Sequence, residues 1–430
     1  MILSNRDGGI AALKLRQILD SRGRPTVEAD VVLNDGSLGR AAVPSGASTG
    51  KYEAHELRDG DPDHYEAQGV RRVAAAARTE ILPRLLGADA LDQQRVDATL
   101  REIDGTPNLQ RLGGNSVLAV SLASARAAAI HTRQPLHRYL NSFVRGVVPS
   151  LPMPMTNILS GGAHARQGMD FQDFLAVPVG ANSYSQALEW TARVRNAATT
   201  LAVREGLTTL LADEGGLSPG YPNAGQALSL LMRAIESAGL RVGEDMRIAI
   251  DVAASQLFSS DSGSYRLRGM NADLTPQQML AHVSELSRSY PVWSIEDPFD
   301  QDDWVPWRQF TGAFREKGLQ IVGDDLFATN ADRLERGARE SVANAVLIKL
   351  NQNGTLTGTL EVMERARSLG YATVVSARSG ETEDSFIADL AVATGAGQIK
   401  IGSVRNSERL SKYNQLLRIE EDSALPFSQV

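Results

Sequence analysis

An α/β barrel preceded by a smaller α+β domain is the fold that the sequence predicts, and a pattern repeated in its second half is the main reason. Short apolar runs there end in a charged residue, and a helical segment follows each run. Runs of this length are typical of strands buried on both faces. Their intervals, mostly roughly 22 to 30 residues, match one strand-and-helix unit of an eight-unit barrel. The runs are 247–251, 291–296, 320–324, 345–349, 371–376 and 397–400.

The charged residues that end these runs predict a site at one mouth of the barrel. An unpaired charge is too costly to bury, so each should emerge where its strand stops. In a barrel of parallel strands that place is the C-terminal mouth, where active sites are built. Three carboxylates there suggest Mg²⁺, which prefers oxygen ligands. The residues are Asp251, Glu296, Asp324, Lys349 and Lys400.

The first part of the chain has a different order, with strands first and helices after. Partial alternation over 11–19 and 26–33 predicts two strands, and residues 34–37 supply turn signals. Helical patterns follow at 69–86 and 116–131, which indicates an α+β domain. Residues 141–152, rich in Gly, Pro and Ser, give the predicted division into domains 1–141 and 142–430. Two amphipathic helices are predicted at 183–205 and 224–238, within the second domain.

Composition excludes several classes of function. The 430 residues carry a net charge of −7, which gives no indication of nucleic-acid or anionic-membrane binding. There is no cysteine, so a disulfide or a zinc–thiolate site is impossible. No signal peptide and no apolar run long enough to span a bilayer are recognisable, so we expect a cytoplasmic protein.

Lysine is rare in this chain, because only six of its 44 basic residues are lysine. Two of the six, Lys349 and Lys400, fall at predicted strand ends. Arginine serves a surface salt bridge equally well, whereas only lysine can act as a base when its pKa is lowered. This supports a chemical role for Lys349.

Three loop motifs are weak when taken alone. Residues 46–51 look like a phosphate-binding loop, but only three residues separate the glycines and Tyr52 follows Lys51. Asp213-Glu214-Gly-Gly is more often a turn than a catalytic group. His164 is one of six histidines, and a single histidine is more often structural.

Taken together, the motifs closely resemble the enolase family over nearly the whole chain. The matching stretches are 17–23, 44–50, 213–216, 294–297, 322–327, 348–352, 378–384 and 412–421. The resemblance implies an enolase-type barrel with an N-terminal α+β cap domain, acting as a homodimer or higher homo-oligomer on a small phosphorylated acid.

The resemblance also implies a role for each matched residue. Lys349 would remove the C2 proton, and Glu214 would assist departure of the C3 hydroxyl. Two Mg²⁺ per site are implied, with Asp251, Glu296 and Asp324 holding the first and Ser48 the second. Lys400, Arg378, Ser379 and Ser48 would bind the carboxylate and phosphate of the substrate. The remaining pocket residues are His164, Gln172, Asp173 and Ala377.

Several positions depart from the family pattern, and most lie near the expected pocket. Ala377 stands where His is usual before the Arg-Ser pair, and Asp173 stands where Glu is usual. Asp173 is shorter by one methylene, and a misplacement of about 1 Å can cost about 100-fold in rate. The other departures are Ala212, Gln256, Asn353 and Ile401.

These departures favour a paralogue with a modified phosphate pocket. Such a Mg-dependent lyase would dehydrate a phosphonate analogue of 2-phosphoglycerate, as a carboxyphosphonoenolpyruvate synthase does. One alternative is an ordinary glycolytic enolase that converts 2-phosphoglycerate to phosphoenolpyruvate. Another is a catalytically inactive enolase-like binding protein, which is disfavoured because six polar residues of the implied site are all present. They are Glu214, Asp251, Glu296, Asp324, Lys349 and Lys400.

Overall fold

The N-terminal part is an antiparallel sheet covered by helices. The computed structural model describes residues 8–46, 50–165 and 168–429. The sheet has the order β1-β2-β3, and α3 packs across its inner face, where its residues are almost all buried. The elements are β1 (Ile10–Leu19), β2 (Pro25–Leu33), β3 (Leu38–Ala42), α1 (Arg71–Leu85), α2 (Gln93–Asp104), α3 (Gly114–His131) and α4 (Leu136–Asn141).

The two predicted strands and two predicted helices of this part are confirmed, with one difference. The turn at 34–37 does not join the predicted pair of strands but leads from β2 into β3, which the sequence analysis did not identify. Two hydrogen bonds stabilise this turn. Gly36 N donates to the Leu33 carbonyl, and Ser37 N donates to the Asp35 side chain. The domain boundary placed between residues 141 and 142 stays a prediction.

The second part is a closed barrel of eight strands in the order β4-β5-β6-β10-β11-β12-β13-β14. Its strands are β4 (Met153–Ser160), β5 (Asp173–Val177), β6 (Arg247–Asp251), β10 (Val292–Glu296), β11 (Gln320–Gly323), β12 (Ala345–Ile348), β13 (Ala372–Ser376) and β14 (Gly397–Gly402). A small antiparallel sheet follows β6, made of β7 (Phe258–Ser259), β8 (Ser264–Leu267) and β9 (Ala272–Leu274).

Helices surround the barrel, and both amphipathic helices predicted in this part are confirmed. They are α5 (Tyr184–Arg204) and α6 (Ala224–Ser237), followed by α7 (Pro276–Ser289), α8 (Trp304–Phe314), α9 (Ala331–Arg339), α10 (Leu350–Asn353), α11 (Leu356–Ser368), α12 (Phe386–Ala393) and α13 (Ser407–Asp422). Among the described residues, no helix is long and apolar enough to cross a membrane.

The barrel is confirmed, but it is mixed rather than wholly parallel. β5 runs antiparallel to both β4 and β6, while the other neighbours are parallel. Because β5 is reversed, its first residue, Asp173, pairs with Asp251, the last residue of β6. The start of β5 therefore lies at the same mouth as the ends of the parallel strands.

Packed side chains fill the barrel below its mouth. A cluster of buried apolar residues, which includes Met155, Leu175 and Leu347, occupies the interior. Gln320 and Gln398 exchange two hydrogen bonds there, of 3.1 and 2.9 Å, so their buried amides are satisfied. Charged side chains are consequently directed to the mouth, where polar partners exist.

Gly39 on β3 tests how tightly the sheet packs on α3. A Cβ at this position would lie 2.0 Å from the Ala123 carbonyl oxygen and 2.3 Å from the Ala127 nitrogen. Both atoms are helix backbone, so Gly39→Ala should destabilise the protein by about 1–3 kcal/mol or more. A lower midpoint of thermal unfolding is expected. Gly312→Ala in α8 is the control, because it has open space and should raise the midpoint or leave it unchanged. Equal midpoints for Gly39→Ala and wild type would contradict this packing.

Candidate active site

Acidic and basic side chains converge on one cleft at the barrel mouth. Asp251 and Glu296 are the last residues of β6 and β10, Asp324 directly follows β11, and Lys349 directly follows β12. The cleft has an empty volume of about 530 Å³, including space open to solvent. Its lining residues are His164, Gln172, Glu214, Asp251, Ala253, Gln256, Asp297, Asp324, Asp325, Lys349, Ser376, Ala377, Arg378, Ser379 and Lys400.

Lys400 lies inside β14 and not, as predicted, at the end of the strand, because β14 continues two residues further, to Gly402. Its amine is nevertheless buried, and it is paired with two carboxylates. Nζ lies 2.7 Å from Asp251 Oδ2 and 2.8 Å from Glu296 Oε2. Although burial lowers the pKa of Lys400, these carboxylates raise it well above its usual value. A charge inside the strand is tolerated because it is paired.

Lys349 is held by Asp324, whose Oδ2 accepts a hydrogen bond from its Nζ. Burial lowers the pKa of Lys349, but the carboxylate charges of Asp324 and Glu296, together with the hydrogen bond to Asp324, raise it above its usual value. The amine is therefore protonated in this arrangement. Gln352 Nε2 donates to the other Asp324 oxygen at 3.0 Å, which fixes the carboxylate between the two groups.

Asp324 also belongs to a group of three neighbouring acids. Asp297, Asp324 and Asp325 bring carboxylate oxygens within 4.8 Å of one another. Asp297 accepts the backbone N–H of Asp324 at 2.9 Å and of Asp325 at 2.7 Å, so it joins β10 to the loop after β11. These contacts hold Asp297 at a positive φ of 41°. Burial and the Asp324 charge raise the pKa of Asp325 to about 7.

His164, Asp173 and Glu214 form another group at the mouth. His164 Nδ1 lies 3.3 Å from Asp173 Oδ2, and its Nε2 lies 3.8 Å from Glu214 Oε1. Burial lowers the pKa of His164, but the two carboxylates raise it to about 9. Burial raises the pKa of Glu214, but the positive charges of His164, Arg409 and the two lysines of the cleft together lower it. The imidazole thus holds the proton, with carboxylates on both sides.

Asp173 does not line the cleft. Its side chain is fully buried, and Oδ1 accepts hydrogen bonds from Asn157 Nδ2 and, at 3.0 Å, from Ser160 Oγ. It reaches the site through His164 and through Lys400, whose Nζ lies 3.9 Å from Oδ2. Its neighbours already fill the space around it.

Arg378 and Ser379 lie together on the other wall of the cleft, in the loop after β13. Arg378 Nη1 pairs with Glu53 at 3.0 Å and donates to Asn351 Oδ1 at 2.7 Å. Arg22 Nη1 donates to Ser379 Oγ at 3.3 Å. Since Arg22 and Glu53 belong to the N-terminal part, both parts of the chain build this wall.

Two glutamines connect Asp251 to the loop after β6. Gln172 Nε2 donates to Asp251 Oδ2, and Gln256 Nε2 donates to Gln172 Oε1, each at 3.0 Å. Ala377 lines the cleft, and its backbone N–H donates to the Lys400 carbonyl at 2.9 Å. Ile401 is fully buried, away from the cleft.

The predicted residues therefore assemble, with some exceptions. Glu296 and Asp173 are buried at the mouth without lining the cleft, and Ser48 lies outside the described residues. Sequence reasoning missed Asp297, Asp325, Glu53 and Gln352. Asp297 and Asp325 directly follow predicted ligands, which was a usable signal. Glu53 lies in a loop and Gln352 in the short helix α10, and no local pattern distinguishes either residue.

The acids can accommodate a divalent cation. Glu296 Oε1 is buried and accepts no hydrogen bond from any described residue, while burial and Asp251 raise the pKa of Glu296 well above normal. A buried carboxylate oxygen with no donor is costly unless a cation approaches it. Asp251, Glu296 and Asp324 would hold Mg²⁺, a hard cation that takes carboxylate ligands. In the structure these acids are paired with lysines, Asp251 and Glu296 with Lys400 and Asp324 with Lys349.

Fold and site define an α/β-barrel enzyme with carboxylates and lysines at the mouth of the barrel. Residues 148–426 match "Enolase, C-terminal TIM barrel domain", and residues 10–140 match "Enolase, N-terminal domain". The chain belongs to the enolase family, and it is a hydro-lyase, a carbon–oxygen lyase. Enolases of this family use Mg²⁺.

Two curated relatives are similar over almost their whole length. A protein named "Enolase" from Acidothermus cellulolyticus is 50% identical over 413 residues, covering 96% of this chain and 94% of the relative. Another protein named "Enolase", from Mycobacterium leprae, is 51% identical over 407 residues, covering 95% and 93%.

The unpaired Glu296 oxygen generates a prediction about metal binding. Glu296→Gln should lower the affinity for Mg²⁺ at least about tenfold, because an anionic ligand of a hard cation becomes neutral. Isothermal titration of the metal-free protein with MgCl₂ measures this affinity. Glu316→Gln, at an exposed position on the barrel's outside, is the control and should bind like wild type. Unchanged binding by Glu296→Gln would remove Glu296 from the ligand set.

Proposed function

We propose that the protein is an enolase that converts 2-phosphoglycerate to phosphoenolpyruvate and water. One observation carries this proposal: two acids (Asp251 and Asp324), two lysines (Lys349 and Lys400), the His164–Glu214 pair and the Arg378–Ser379 pair line a single cleft, and Glu296 is buried at the same mouth. Roughly half-identical, full-length relatives named "Enolase" support it. The phosphonate substrate favoured by the sequence departures has less support, because neither of these relatives carries such a name.

Lys349 is the proposed base. A C–H beside a carboxylate is very weakly acidic, because its loss spreads two negative charges over the carboxylate oxygens. Lys349 Nζ would take the C2 proton, and the electron pair of that bond would become part of the C2–C3 double bond. The present contact with Asp324 keeps the amine protonated, so Lys349 must lose this partner before it acts.

Glu214 and His164 are proposed to assist departure of the C3 hydroxyl. The hydroxyl leaves with its bonding electron pair and needs a proton to become water. His164 carries this proton, and its Nε2 lies 3.8 Å from Glu214 Oε1. Asp173 would act by orienting the imidazole rather than by touching substrate.

The remaining residues are proposed to bind the charges of the substrate. Lys400 would neutralise the carboxylate, while Arg378 and Ser379, with Ser48, would bind the phosphate. Asp251, Glu296 and Asp324 would hold Mg²⁺, which would supply positive charge to stabilise negative charge on the substrate carboxylate. A second Mg²⁺ with Ser48, the homodimeric or higher oligomeric state, the cytoplasmic location and the boundary at 141–142 are proposals of the same kind.

Loss of the proposed base gives the first test of this function. Lys349→Met should lower kcat for 2-phosphoglycerate by about 10²- to 10⁴-fold, the usual contribution of a general base. Formation of the enol product can be followed by its ultraviolet absorbance. Lys317→Met, at an exposed lysine, should retain wild-type kcat. Absence of turnover by the wild-type protein would contradict the function, and full activity in Lys349→Met would contradict the role.

The departures at Asp173 and Ala377 give the second test. If they adapt the cleft to a phosphonate, then Ala377→His with Asp173→Glu should raise turnover of 2-phosphoglycerate. We expect turnover to fall instead, because a longer side chain at fully buried Asp173 would overpack its neighbours at a cost of about 1–3 kcal/mol. Ala377→His alone separates the two effects. A clear rise in kcat/KM in the double variant would restore the phosphonate interpretation.

A further inference from the structure

Arg409 on α13 is a buried cation outside the cleft, and it contacts several segments that form the cleft. Its side chain has no solvent exposure. Nη1 donates to the carbonyl oxygens of Arg378 at 2.7 Å and Ile401 at 3.0 Å, and Nη2 donates to that of Ser379 at 2.7 Å. Three acceptors, two from the loop after β13 and one from strand β14, therefore meet at one planar guanidinium.

These acceptors flank the groups that would bind substrate. Two are the backbone carbonyls of Arg378 and Ser379, the proposed phosphate-binding pair. The third belongs to Ile401, the residue directly after Lys400, which would bind the carboxylate. The guanidinium thus connects the backbone of the phosphate-binding pair to the strand that carries Lys400.

The aliphatic part of Arg409 also lies close to the Glu214 loop. Gly402 separates them, and a Cβ at this glycine would lie 3.1 Å from Arg409 Cδ and 2.9 Å from the Glu214 carbonyl oxygen. That carbonyl accepts a hydrogen bond from Ser403 N at 2.8 Å. Gly402 has φ of 108°, so both its conformation and this close approach require glycine.

Few other side chains could replace this contact. Three carbonyl acceptors in different directions need several donors fixed in one plane, which a guanidinium has and an ammonium does not. Removing the donors would cost the buried Arg378 and Ile401 carbonyls these hydrogen bonds, and the Ser379 carbonyl would keep only the 3.4 Å hydrogen bond from Ser21 Oγ. Buried carbonyls that lose their donors are costly. The nearby Lys412 supports a later part of the same loop, since its Nζ donates to the Thr382 carbonyl and pairs with Glu381 at 2.8 Å.

We propose that Arg409 is a positioning residue that holds Arg378 and Ser379 at a fixed distance from Lys400. It thereby sets the affinity of the cleft for a phosphate group. This inference rests on the proposed function for the identity of the bound group, but it concerns a residue that does not touch substrate.

The test measures binding of inorganic phosphate and of Mg²⁺ by isothermal titration to wild type, Arg409→Lys and Arg409→Gln. Phosphate affinity should fall about tenfold or more in both variants, because displacement of binding groups by about 1 Å has effects of this size. Mg²⁺ affinity should stay within about twofold, because Arg409 donates its hydrogen bonds to the Arg378, Ser379 and Ile401 carbonyls and not to the acids that would hold the metal. Arg418→Lys and Arg418→Gln, at an exposed arginine of α13, are matched controls and should behave like wild type.

The outcomes separate this inference from the proposed function. Folded Arg409 variants with wild-type phosphate affinity would overturn it, as would a parallel loss of phosphate and Mg²⁺ binding, which indicates a general structural role. If Arg409→Gln does not fold, the phosphate affinity of Arg409→Lys decides. If neither variant folds, Arg409 has a structural role only, and the inference is overturned. Wild-type protein that binds no phosphate would also overturn it. Wild-type protein that binds phosphate but does not turn over 2-phosphoglycerate would refute the proposed function and leave the inference standing.

Discussion

The pairing of buried lysines with buried carboxylates is the interaction on which the rest of the mouth depends. Lys400 joins Asp251 to Glu296, and Lys349 holds Asp324. Each charge alone would be too costly in the barrel, but together they offset one another. Such pairs are stable, yet a competing cation or an anionic ligand can exchange partners within them. The same charges therefore offset one another's burial and leave the cleft lined with groups that can bind a charged substrate.

Burial explains why so much of this site was predictable from the sequence. A strand surrounded by packed side chains leaves its charged residue only one place to emerge, so Asp251, Glu296 and Asp324 could be assigned to one mouth. Lys400 followed the rule less strictly, because two carboxylates stabilise its amine within the strand. Asp297 and Asp325 adjoin these residues and were available to the same reasoning.

The rest could not be predicted because it depends on contacts between distant segments. β5 is antiparallel, so Asp173 reaches the mouth from the beginning of a strand, where the rule about strand ends does not apply. Glu53 approaches Arg378 across 325 positions of sequence. Arg409 lies on a helix whose pattern gives no reason to select it, and its importance follows only from the three carbonyls around it.

The distribution of lysine has a practical consequence for chemical labelling. Lys349, Lys400 and Lys412 are enclosed, which leaves Lys14, Lys51 and Lys317 as the exposed lysine amines. A reagent such as an N-hydroxysuccinimide ester would therefore modify the folded protein at Lys14, Lys51 and Lys317, none of which lines the cleft. Attachment of a dye or a solid support through these amines would leave the two lysines of the cleft unmodified.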